Sequence, residues 1–394
     1  MNAEVKPGYK QTEVGVIPQD WEVKRLRDIS PSQTVGLVIN PSSYFDEAGT
    51  IPMLVGSHVS ENSISWQTAN KITEKSNNQV SASRLYANDL VMVRVGEPGV
   101  TAVVPPELDG CNCASMMIIR QGRAFDSTWL CYVMNSDIGR KQVENVQYGT
   151  AQKQFNISDA VNFVYPTPPF AEQKAIASAL SGVESVITSL DQLIAKKRDI
   201  QQAVMQQLLT GQRRLPGFSG EWEVKRLGDV VEIKKGQLIT EKLASPGDIP
   251  VVAGGKKPAY FHSAANRSGK NITISASGAS AGYVAFFETP IFASDCSTIG
   301  ESDKYEILFV YYFLKSRQED IYKAQTGGAQ PHIHPADIYP LVVTWPDKAE
   351  QTAIATILSD MDSERAMLEA RRDKAKQLKV GMMQQLLSGS LRII

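Results

Sequence analysis

The chain has 394 residues with a formal net charge of −1, and 42% of the residues are hydrophobic and 8% aromatic. This composition is typical of a soluble protein of two or three domains, and the near-zero charge excludes a protein that binds a polyanion over its whole surface. Any nucleic-acid site therefore has to be a local patch or be shared with a partner.

The sequence gives no sign of a membrane or secreted protein. No apolar run reaches the roughly 18 residues that a membrane-spanning helix needs, and the N-terminal residues, with Glu4 and Lys6, lack the apolar core of a signal peptide. We therefore expect a cytoplasmic protein without a membrane partner. Four cysteines lack paired Cys-x-x-Cys spacing: Cys111, Cys113, Cys131 and Cys296. We interpret them as buried, reduced thiols.

The first part of the chain, up to residue 168, predicts an α+β head that follows Trp21. Short apolar runs bounded by glycine, proline and polar residues are typical of strands. They lie at 51–55, 90–95, 116–119 and 161–165. The stretch 127–143 predicts a helix. Residues 149–152, Gly-Thr-Ala-Gln, predict a loop before the last strand.

The stretch 168–211 predicts one long helix. Pro168 and Pro169 suit its first turn, and Gly211 suits its end. About 40 residues at ~1.5 Å each give a rod of roughly 60 Å, so this helix needs a partner of similar length. Its apolar residues recur at alternating spacings of four and three: Ile176, Leu180, Val183, Ile187, Leu190, Ile194, Val204 and Leu208.

A second head follows Trp222 on the same plan. Apolar runs predict its strands at 249–252, 271–275, 283–287, 290–293 and 341–344. A helix is predicted at 305–323 and a glycine-rich loop at 327–330. The frame of this head, Trp-Glu-Val-Lys-Arg-Leu at its start and Ala-Gln in its loop, repeats that of the first, while most of the sequence between differs.

The stretch 346–389 repeats the long helix with a changed seam. Arg365 and Arg372 stand at positions where the first copy is apolar, with Ile187 and Ile194, and Lys379 stands where the first copy has Gln201. An apolar seam that faces a half-charged one favours pairing between unlike helices. The apolar seam positions of the second copy are Ile354, Leu358, Met361, Leu368, Ala375, Met382 and Leu386.

The internal repeat predicts the architecture. We expect an α+β protein with two mixed-sheet heads at opposite ends of an antiparallel coiled coil, in four domains at 1–168, 169–213, 214–346 and 347–394. Two unlike heads on a common frame indicate a duplicated binding device with two specificities. Drift of a duplicated gene without functional consequence is the alternative.

Two motifs resemble catalytic patterns but lack the required context. Residues 278–282, Gly-Ala-Ser-Ala-Gly, match the G-x-S-x-G nucleophile pattern, but a strand rather than a helix is predicted after them, which favours a tight turn. Residues 167–170, Thr-Pro-Pro-Phe, resemble the Asn/Asp-Pro-Pro-aromatic loop of amino-methyltransferases without its first residue or a glycine-rich cofactor loop. A helix start explains them better.

Two further motifs have simpler explanations than chemistry. His332 and His334 suggest a metal site but lack a third ligand, so hydrogen bonding in a loop is favoured. Glu22 and Lys24 form the Glu-x-Lys element of many nucleases without its Pro-Asp partner, which favours a surface salt bridge. No Gly-x-x-x-x-Gly-Lys-Ser/Thr loop for ATP is present. We therefore expect no catalytic residues and no bound metal in this chain.

Basic and polar residues gather in both heads, where they suit phosphate contacts and recognition of base edges. A solvated charged face is the alternative for each one. The candidates in the first head are Arg84, Arg94, Arg140, Lys141, Gln152 and Lys153. Those in the second head are Lys234, Lys235, Lys256, Lys257, Tyr260, His262, Arg267, Lys270, Gln330 and His332.

The repeated motifs resemble the specificity subunits of type I restriction-modification enzymes. The resemblance covers nearly the whole chain. It rests on the Ala-Glu-Gln-x-x-Ile-Ala helix starts at 171–177 and 349–355, the Gln-Gln-Leu-Leu-Thr/Ser-Gly helix ends at 206–211 and 384–389, and the Trp-Glu-Val-Lys-Arg-Leu segments at 21–26 and 222–227.

This resemblance implies a non-catalytic subunit with two target recognition domains and two conserved helical regions. Each recognition domain would bind one half of a split target in double-stranded DNA, and the helices would set the spacer. It implies two modification subunits that carry S-adenosylmethionine, and restriction subunits that use ATP and magnesium. The assembled complex would then be an adenine-N6 methyltransferase and an ATP-dependent endonuclease. A coiled-coil interaction scaffold without a DNA role is the alternative.

Overall fold

The computed structural model describes residues 6–328 and 330–393. Glu4 and the other residues of 1–5, Ala329 of the predicted loop 327–330, and residue 394 lie outside the described residues. Of the helices that the described residues form, none combines the length and apolar character needed to cross a membrane.

The chain divides into two compact units. One consists of Met1–Ser189 with Arg372–Ile394, and the other of Leu190–Arg371. Each unit therefore contains one head and half of each long helix. The predicted domain boundaries, after residues 168, 213 and 346, follow the sequence repeat rather than this division into units. They stay a prediction.

The first head is built from small sheets and short helices. Its strands are β1 Tyr9–Thr12, β2 Gly15–Pro18, β3 Glu22–Arg25, β4 Gln33–Val35, β5 Ile51–Leu54, β6 Val59–Ser60, β7 Ser63–Ile64, β8 Lys71–Ile72, β9 Leu90–Val93, β10 Thr101–Val103, β11 Asn112–Cys113, β12 Met116–Ile119 and β13 Val164–Thr167. Its α-helices are α1 Leu26–Ile29, α2 Glu74–Gln79, α3 Ser127–Asn135, α4 Asp137–Val146 and α5 Ile157–Ala160.

Two sheets dominate this head. Strands β10, β9, β12 and β4 form an antiparallel four-stranded sheet, and β11, β5 and β8 form a mixed sheet in which β11 and β5 are parallel. Side chains of β9 alternate between two cores, as the period of a strand requires. Leu90 and Met92 pack with Trp129 of α3, whereas Val91 and Val93 pack with Leu54 of β5. The predicted mixed-sheet head is confirmed.

The prediction of a single helix at 127–143 is wrong in one respect, because this stretch forms two helices, α3 and α4. Ser136 has an extended backbone with φ −75° and ψ 171°, so α3 ends before it and α4 begins after it. The Ser136 hydroxyl donates to the carbonyl oxygen of Val133 at 2.7 Å, and the Asn135 amide donates to the carbonyl oxygen of Thr101 at 2.8 Å. Such side-chain bonds to the backbone compete with helix continuation.

The strand that closes the first head also differs from its prediction at 161–165. It is β13, and it pairs antiparallel with β3, so that Tyr165 lies opposite Lys24. Residues 161–163 form a turn after α5 instead. The predicted surface salt bridge is confirmed within β3, where Lys24 Nζ lies 2.6 Å from Glu22 Oε2.

The long helix α6, Phe170–Leu209, follows as one uninterrupted helix of 40 residues, as predicted. The predicted helix start after the two prolines is also confirmed. Gly211, with φ +72°, lies two residues past its end in the left-handed region that glycine tolerates best.

The second head repeats the plan with fewer elements. Its strands are β14 Glu223–Arg226, β15 Lys234–Lys235, β16 Ile249–Val252, β17 Tyr260–His262, β18 Asn271–Ser275, β19 Val284–Phe287, β20 Phe292–Ala293, β21 Cys296–Gly300 and β22 Val342–Trp345. Its α-helices are α7 Leu227–Val230, α8 Ile307–Ser316, α9 Gln318–Lys323 and α10 Pro335–Ile338.

The sheets of this head correspond to those of the first. Strands β15, β21, β18 and β19 form an antiparallel sheet, and β17, β16 and β20 form a mixed sheet in which β16 and β20 are parallel. The core packs Ile272 and Ile274 of β18 against Val310 and Leu314 of α8. The helix predicted at 305–323 is again two helices, because Arg317 leaves helical geometry with φ −102° and ψ 15°.

The second long helix, α11 Lys348–Leu387, also has 40 residues. In each unit it runs antiparallel to α6, which confirms the predicted pairing. In the first unit, Lys379 forms a salt bridge with Glu184. In the second unit, Lys197 Nζ lies 2.7 Å from Glu364 Oε1, and Arg365 Nη1 donates to Gln201 Oε1 at 2.9 Å. Residues Arg365 and Lys379 of the half-charged seam thus have polar partners on α6.

The predicted seam residues fall into two groups by burial. One group is buried: Ile176, Leu180, Ile187, Leu190, Leu208, Ile354, Leu358 and Leu386. The other group is half-buried: Val183, Ile194, Val204, Met361, Leu368, Ala375 and Met382. The heads therefore contribute much of the core around the helices, as Trp129 and Leu130 do for Ile176 and Leu180.

A Trp–Glu–Arg cluster joins each head to the helices of its unit. In the first unit, Trp21 Nε1 donates to Glu172 Oε2 at 3.0 Å, and Arg392 Nε donates to Glu172 Oε1 at 2.5 Å. Trp21 is fully buried, and the Glu172 side chain is 7% exposed. The Glu172 carboxylate raises the pKa of Arg392 above its usual range. The segment after α11 is thereby fixed to the first head.

The second unit repeats this cluster after α6. Trp222 Nε1 donates to Glu350 Oε2 at 2.9 Å, and Arg214 Nε donates to Glu350 Oε1 at 2.7 Å. The Arg214 guanidinium lies 5.3 Å from the centre of the Trp222 ring, a cation–π contact. The duplicated frame seen in the sequence therefore corresponds to a duplicated set of contacts.

Candidate nucleic-acid interface

In the first head, two loops meet beyond the end of β9. Val95 forms a β-bridge with Gln154, which also bridges Tyr148. The backbone N–H of Gly96 donates to the carbonyl oxygen of Lys153 at 3.0 Å. We call residues 94–99 and 148–154 the first cradle.

The second head contains the same arrangement beyond the end of β18. Ser277 forms a β-bridge with His332, which also bridges Thr326. The backbone N–H of Gly278 donates to the carbonyl oxygen of Pro331 at 3.0 Å. We call residues 276–282, 326–328 and 330–332 the second cradle. Each backbone contact of the first cradle has a counterpart here.

A glycine at the same turn explains why both cradles fold alike. Gly149 has φ +94° and Gly327 has φ +88°, values that favour glycine over residues with a Cβ. A Cβ at Gly149 would collide with the carbonyl oxygen of Gln152, and one at Gly327 would lie 2.6 Å from that of Gln330. The shared backbone thus rests on the repeated glycine, while the side chains between are free to differ.

The first cradle brings together three of the predicted residues: Arg94, Gln152 and Lys153. Gln152 and Lys153 are exposed, and Arg94 is half-buried. Tyr148 and Asn156 flank them, and the Tyr148 hydroxyl donates to Asn156 Oδ1 at 3.0 Å. The cradle therefore presents cationic and amide groups, which suit contacts with phosphates and base edges.

The other predicted residues of the first head divide between this site and a distant one. Arg140 of α4 lies beside the cradle, because its Nη1 donates to the carbonyl oxygen of Pro98 at 3.2 Å. Lys141 is its exposed neighbour. Arg84 is not part of the cradle, and its Nη2 donates to Asn78 Oδ1 at 2.6 Å.

The second cradle presents different side chains. Gln330 is exposed, and the half-buried His332 stacks its ring on that of His334, with centres 6.4 Å apart. The loop that carries Lys256 and Lys257 adjoins this cradle, because the Ser275 hydroxyl donates to the carbonyl oxygen of Gly254 at 2.8 Å. Four predicted residues thus gather here: Lys256, Lys257, Gln330 and His332.

Sequence reasoning missed two residues beside the second cradle. The Tyr283 ring lies under two ammonium groups, Lys315 Nζ at 4.9 Å and Lys256 Nζ at 5.5 Å from its centre. Burial lowers the pKa of Lys315, and nearby Lys256 lowers it further. The signal that could have identified Lys315 is its position as the one charged residue of α8, Ile-Leu-Phe-Val-Tyr-Tyr-Phe-Leu-Lys-Ser.

The remaining predicted residues of the second head lie on other edges of its sheets. Arg267 donates from Nε to Thr298 Oγ1 at 2.7 Å and from Nη2 to the carbonyl oxygen of Lys235 at 2.7 Å. Lys234 pairs with Thr298 across the sheet, and the Lys270 N–H donates to Glu301 at 3.1 Å. Tyr260 and His262 lie on β17, where the Tyr260 hydroxyl donates to the carbonyl oxygen of Ile239 at 2.6 Å. These six residues are outside the second cradle.

The catalytic-like motifs fold as the simpler explanations predict. Residues 278–280 form one 3₁₀ turn, and β19 follows, so the G-x-S-x-G match is a turn between strands. Among residues 6–328 and 330–393, no group of three or more His, Cys, Asp or Glu side chains is placed to hold a metal ion. All four cysteines are buried free thiols, and burial raises their pKa, to about 12 for Cys131. The prediction for the cysteines is confirmed.

A protein-family comparison matches the second head and much of α11. The matching model describes the type I restriction modification DNA specificity domain and covers residues 219–377. The matched range includes the second cradle and Trp222.

Two curated relatives from Methanocaldococcus jannaschii are similar to the chain. The putative type I restriction enzyme MjaX specificity subunit is 22% identical over 98% of this chain and 97% of its own length. The type I restriction enzyme MjaVIII specificity subunit is 24% identical over 54% of this chain. That second alignment spans only half of the relative's length.

A solved structure shares the fold. The crystal structure of the S subunit of a type I restriction-modification system from M. genitalium superposes with a TM-score of 0.67 at 15% identity, over 98% of both chains. At this level of identity the likeness concerns the fold alone, and it extends over both heads and both long helices.

Proposed function

We propose that this chain, which its family-model match and its relatives indicate to be a type I restriction-modification specificity subunit, recognises a split DNA target without catalysing a reaction itself. Each head binds one half of the target. The subunit works in the cytoplasm on double-stranded DNA. In this proposal specificity comes from the two heads, and chemistry from partner subunits.

The observation that carries this proposal is the pair of cradles. A common backbone with matching contacts presents Arg94, Gln152 and Lys153 in one head but Gln330 and His332 in the other. A fixed frame with exchangeable polar side chains suits recognition of two unlike base sequences, since base edges differ in their donors and acceptors. The basic residues beside the cradles suit phosphate contacts, which position a protein on DNA.

We further propose that the helices α6 and α11 set the unread spacer and bind two modification subunits. S-adenosylmethionine, ATP and magnesium belong to the modification and restriction subunits in this proposal. The near-neutral charge of the chain fits a subunit whose partners supply much of the positive surface around DNA.

The test is single-molecule methylome sequencing of a methylation-free host that expresses this chain with its modification subunit. We expect a split motif with two unlike halves, a fixed gap and methylated adenine on both strands. The absence of methylation and of sequence-dependent DNA binding, despite a stable purified complex, would favour the interaction scaffold and reject the proposal.

Two variants separate the roles of heads and helices in the same assay. Replacing 214–346 with the second head of another specificity subunit should change one half of the motif only. Removing one helical turn from α6, with the facing turn of α11, should shorten the gap and leave both halves unchanged. A new half-site together with the old gap would refute the role of the helices as a spacer.

A further inference from the structure

Arg94 differs from the other partly buried arginines of the first head because its side chain forms no hydrogen bond or salt bridge within residues 6–328 and 330–393. Arg120 forms a salt bridge with Asp89 at 2.5 Å, Arg84 donates to Asn78, and Arg140 donates to Pro98. The Nε atoms of Arg94 and Arg84 are both buried without a hydrogen-bond acceptor among the described residues. The two arginines differ at Nη, because Arg84 Nη2 also donates to the carbonyl oxygen of Asn77 at 3.3 Å, whereas the Nη atoms of Arg94 have no acceptor in the described part of the chain. Among the described residues no salt bridge includes Arg94.

Arg94 lies in the first cradle, and the end of its side chain is open to solvent. Side chains alternate along β9, so Arg94 follows Leu90 and Met92 on the face covered by α3 and α4. Its carbonyl oxygen accepts from the N–H of Phe155 at 3.3 Å, which fixes the backbone beside the loop 148–154. Only Nε is buried and unpaired, so the two Nη nitrogens remain accessible.

The two accessible Nη nitrogens of Arg94 have no acceptor among the described residues, so a ligand that brings acceptors can pair with this guanidinium without displacing an existing partner. Arginine fits guanine well, since its fork of N–H groups can contact O6 and N7 together. The second head has Ala276 at the corresponding position before its cradle bridge. A ligand for this guanidinium would therefore belong to one head only.

We propose that Arg94 recognises a guanine in the half of the DNA target that the first head binds. This inference rests on the proposed function and adds a specificity-determining residue to it. A phosphate of the DNA backbone offers acceptors to the same group, but a phosphate contact carries no sequence information. The experiment distinguishes these two sources.

The test compares the complex of this chain and its modification subunit with variants Arg94→Ala, Arg94→Lys and Arg94→Met, by methylome sequencing and by DNA binding at several salt concentrations. We expect Arg94→Ala and Arg94→Met to relax one G·C position in one half of the motif. The loss of discrimination there should be roughly 10- to 100-fold. Arg94→Lys should keep part of the preference, because lysine also contacts guanine but lacks the fork.

The matched control is Arg123→Ala, which removes an exposed arginine from the same head and should leave the motif unchanged. Arg94→Met should not lower the melting temperature of the complex, because it removes an unpaired charged group from a half-buried site. That readout separates loss of recognition from loss of folding.

Two outcomes overturn the inference while the wild-type complex still methylates a split motif. An unchanged motif in Arg94→Ala excludes a base contact. A uniform loss of affinity across sequences, with the slope of log affinity against log salt reduced by about one, assigns Arg94 to a phosphate. If the wild-type complex gives no split motif, the proposed function fails, and this inference fails with it.

Discussion

The two heads share a framework of backbone and buried contacts but present different side chains on it. Both place a Trp–Glu–Arg cluster against the long helices and a bridged pair of loops at the end of a central strand. Yet Arg94 corresponds to Ala276, and Gln154 to His332. The contacts within the frame depend on backbone geometry and buried side chains, whereas the displayed residues make few contacts with their own head.

This difference separates two kinds of constraint. A change in a shared cluster should lower stability in either unit, because the cluster is buried and its hydrogen bonds are satisfied. A change in a cradle should alter one half of the target and leave stability nearly unchanged, because the side chains that the cradles present are exposed or only half-buried. The expected effects therefore decrease from the clusters to the cradles and then to the helix surface.

The largest effect is expected for Glu172→Ala. It removes the acceptor of the buried Trp21 N–H and one of the two carboxylates that bind Arg392, which keeps its ion pair with Asp20, at a cost of about 2–4 kcal/mol. Glu350→Ala should cost less, because Trp222 is only half-buried whereas Trp21 is fully buried. Denaturant unfolding followed by tryptophan fluorescence measures both. Trp21→Phe is the control for the lost N–H alone. Equal losses in the two variants would contradict the link to tryptophan burial.

An intermediate effect, on recognition rather than stability, is expected for His332→Gln. This variant gives the second cradle the side chain that the first cradle has at position 154. We expect one base position in one half of the motif to change, with a discrimination change of about tenfold. Gln154→His is the reciprocal variant and should act on the other half. Methylome sequencing that showed both halves altered by either variant would contradict independent heads.

The smallest effect is expected for Lys379→Ala on the helix surface. The Lys379 side chain is 18% exposed and its partner Glu184 37%, so the loss should be about 0.5–1 kcal/mol. Lys197→Ala breaks a more exposed pair, at 32% and 46%, and should cost less. Denaturant unfolding measures both, and a larger loss for Lys197→Ala would show that exposure does not rank these pairs.

The sequence predicted elements with strong periodicity and missed those without it. Both 40-residue helices and the apolar strands β5, β9, β12, β16 and β18 were predictable from their patterns. Strand β21 was not, because its residues Cys-Ser-Thr-Ile-Gly include polar side chains that are nevertheless buried. The breaks at Ser136 and Arg317 depend on local backbone geometry and tertiary contacts, which periodicity does not report.

The candidate site was predictable only in part for a similar reason. Charge and loop position indicated Arg94, Lys153 and His332, and the structure places them in the cradles. Nothing in the sequence separated Arg94 from Arg84, because that distinction depends on which nitrogen atoms find acceptors after folding. Tyr283 was assigned only to a strand, and its contacts with two lysines come from α8 and a distant loop.

The buried cysteines make the protein ready for site-specific labelling. All four native thiols are enclosed, and their raised pKa keeps the thiolate scarce at neutral pH. A cysteine introduced at an exposed position outside the cradles, such as Gln79 or Lys242, should therefore react with a maleimide dye much faster than the native ones. A dye on each head would allow energy-transfer measurements of the distance between the heads, with and without DNA, in a chain that keeps its natural cysteines.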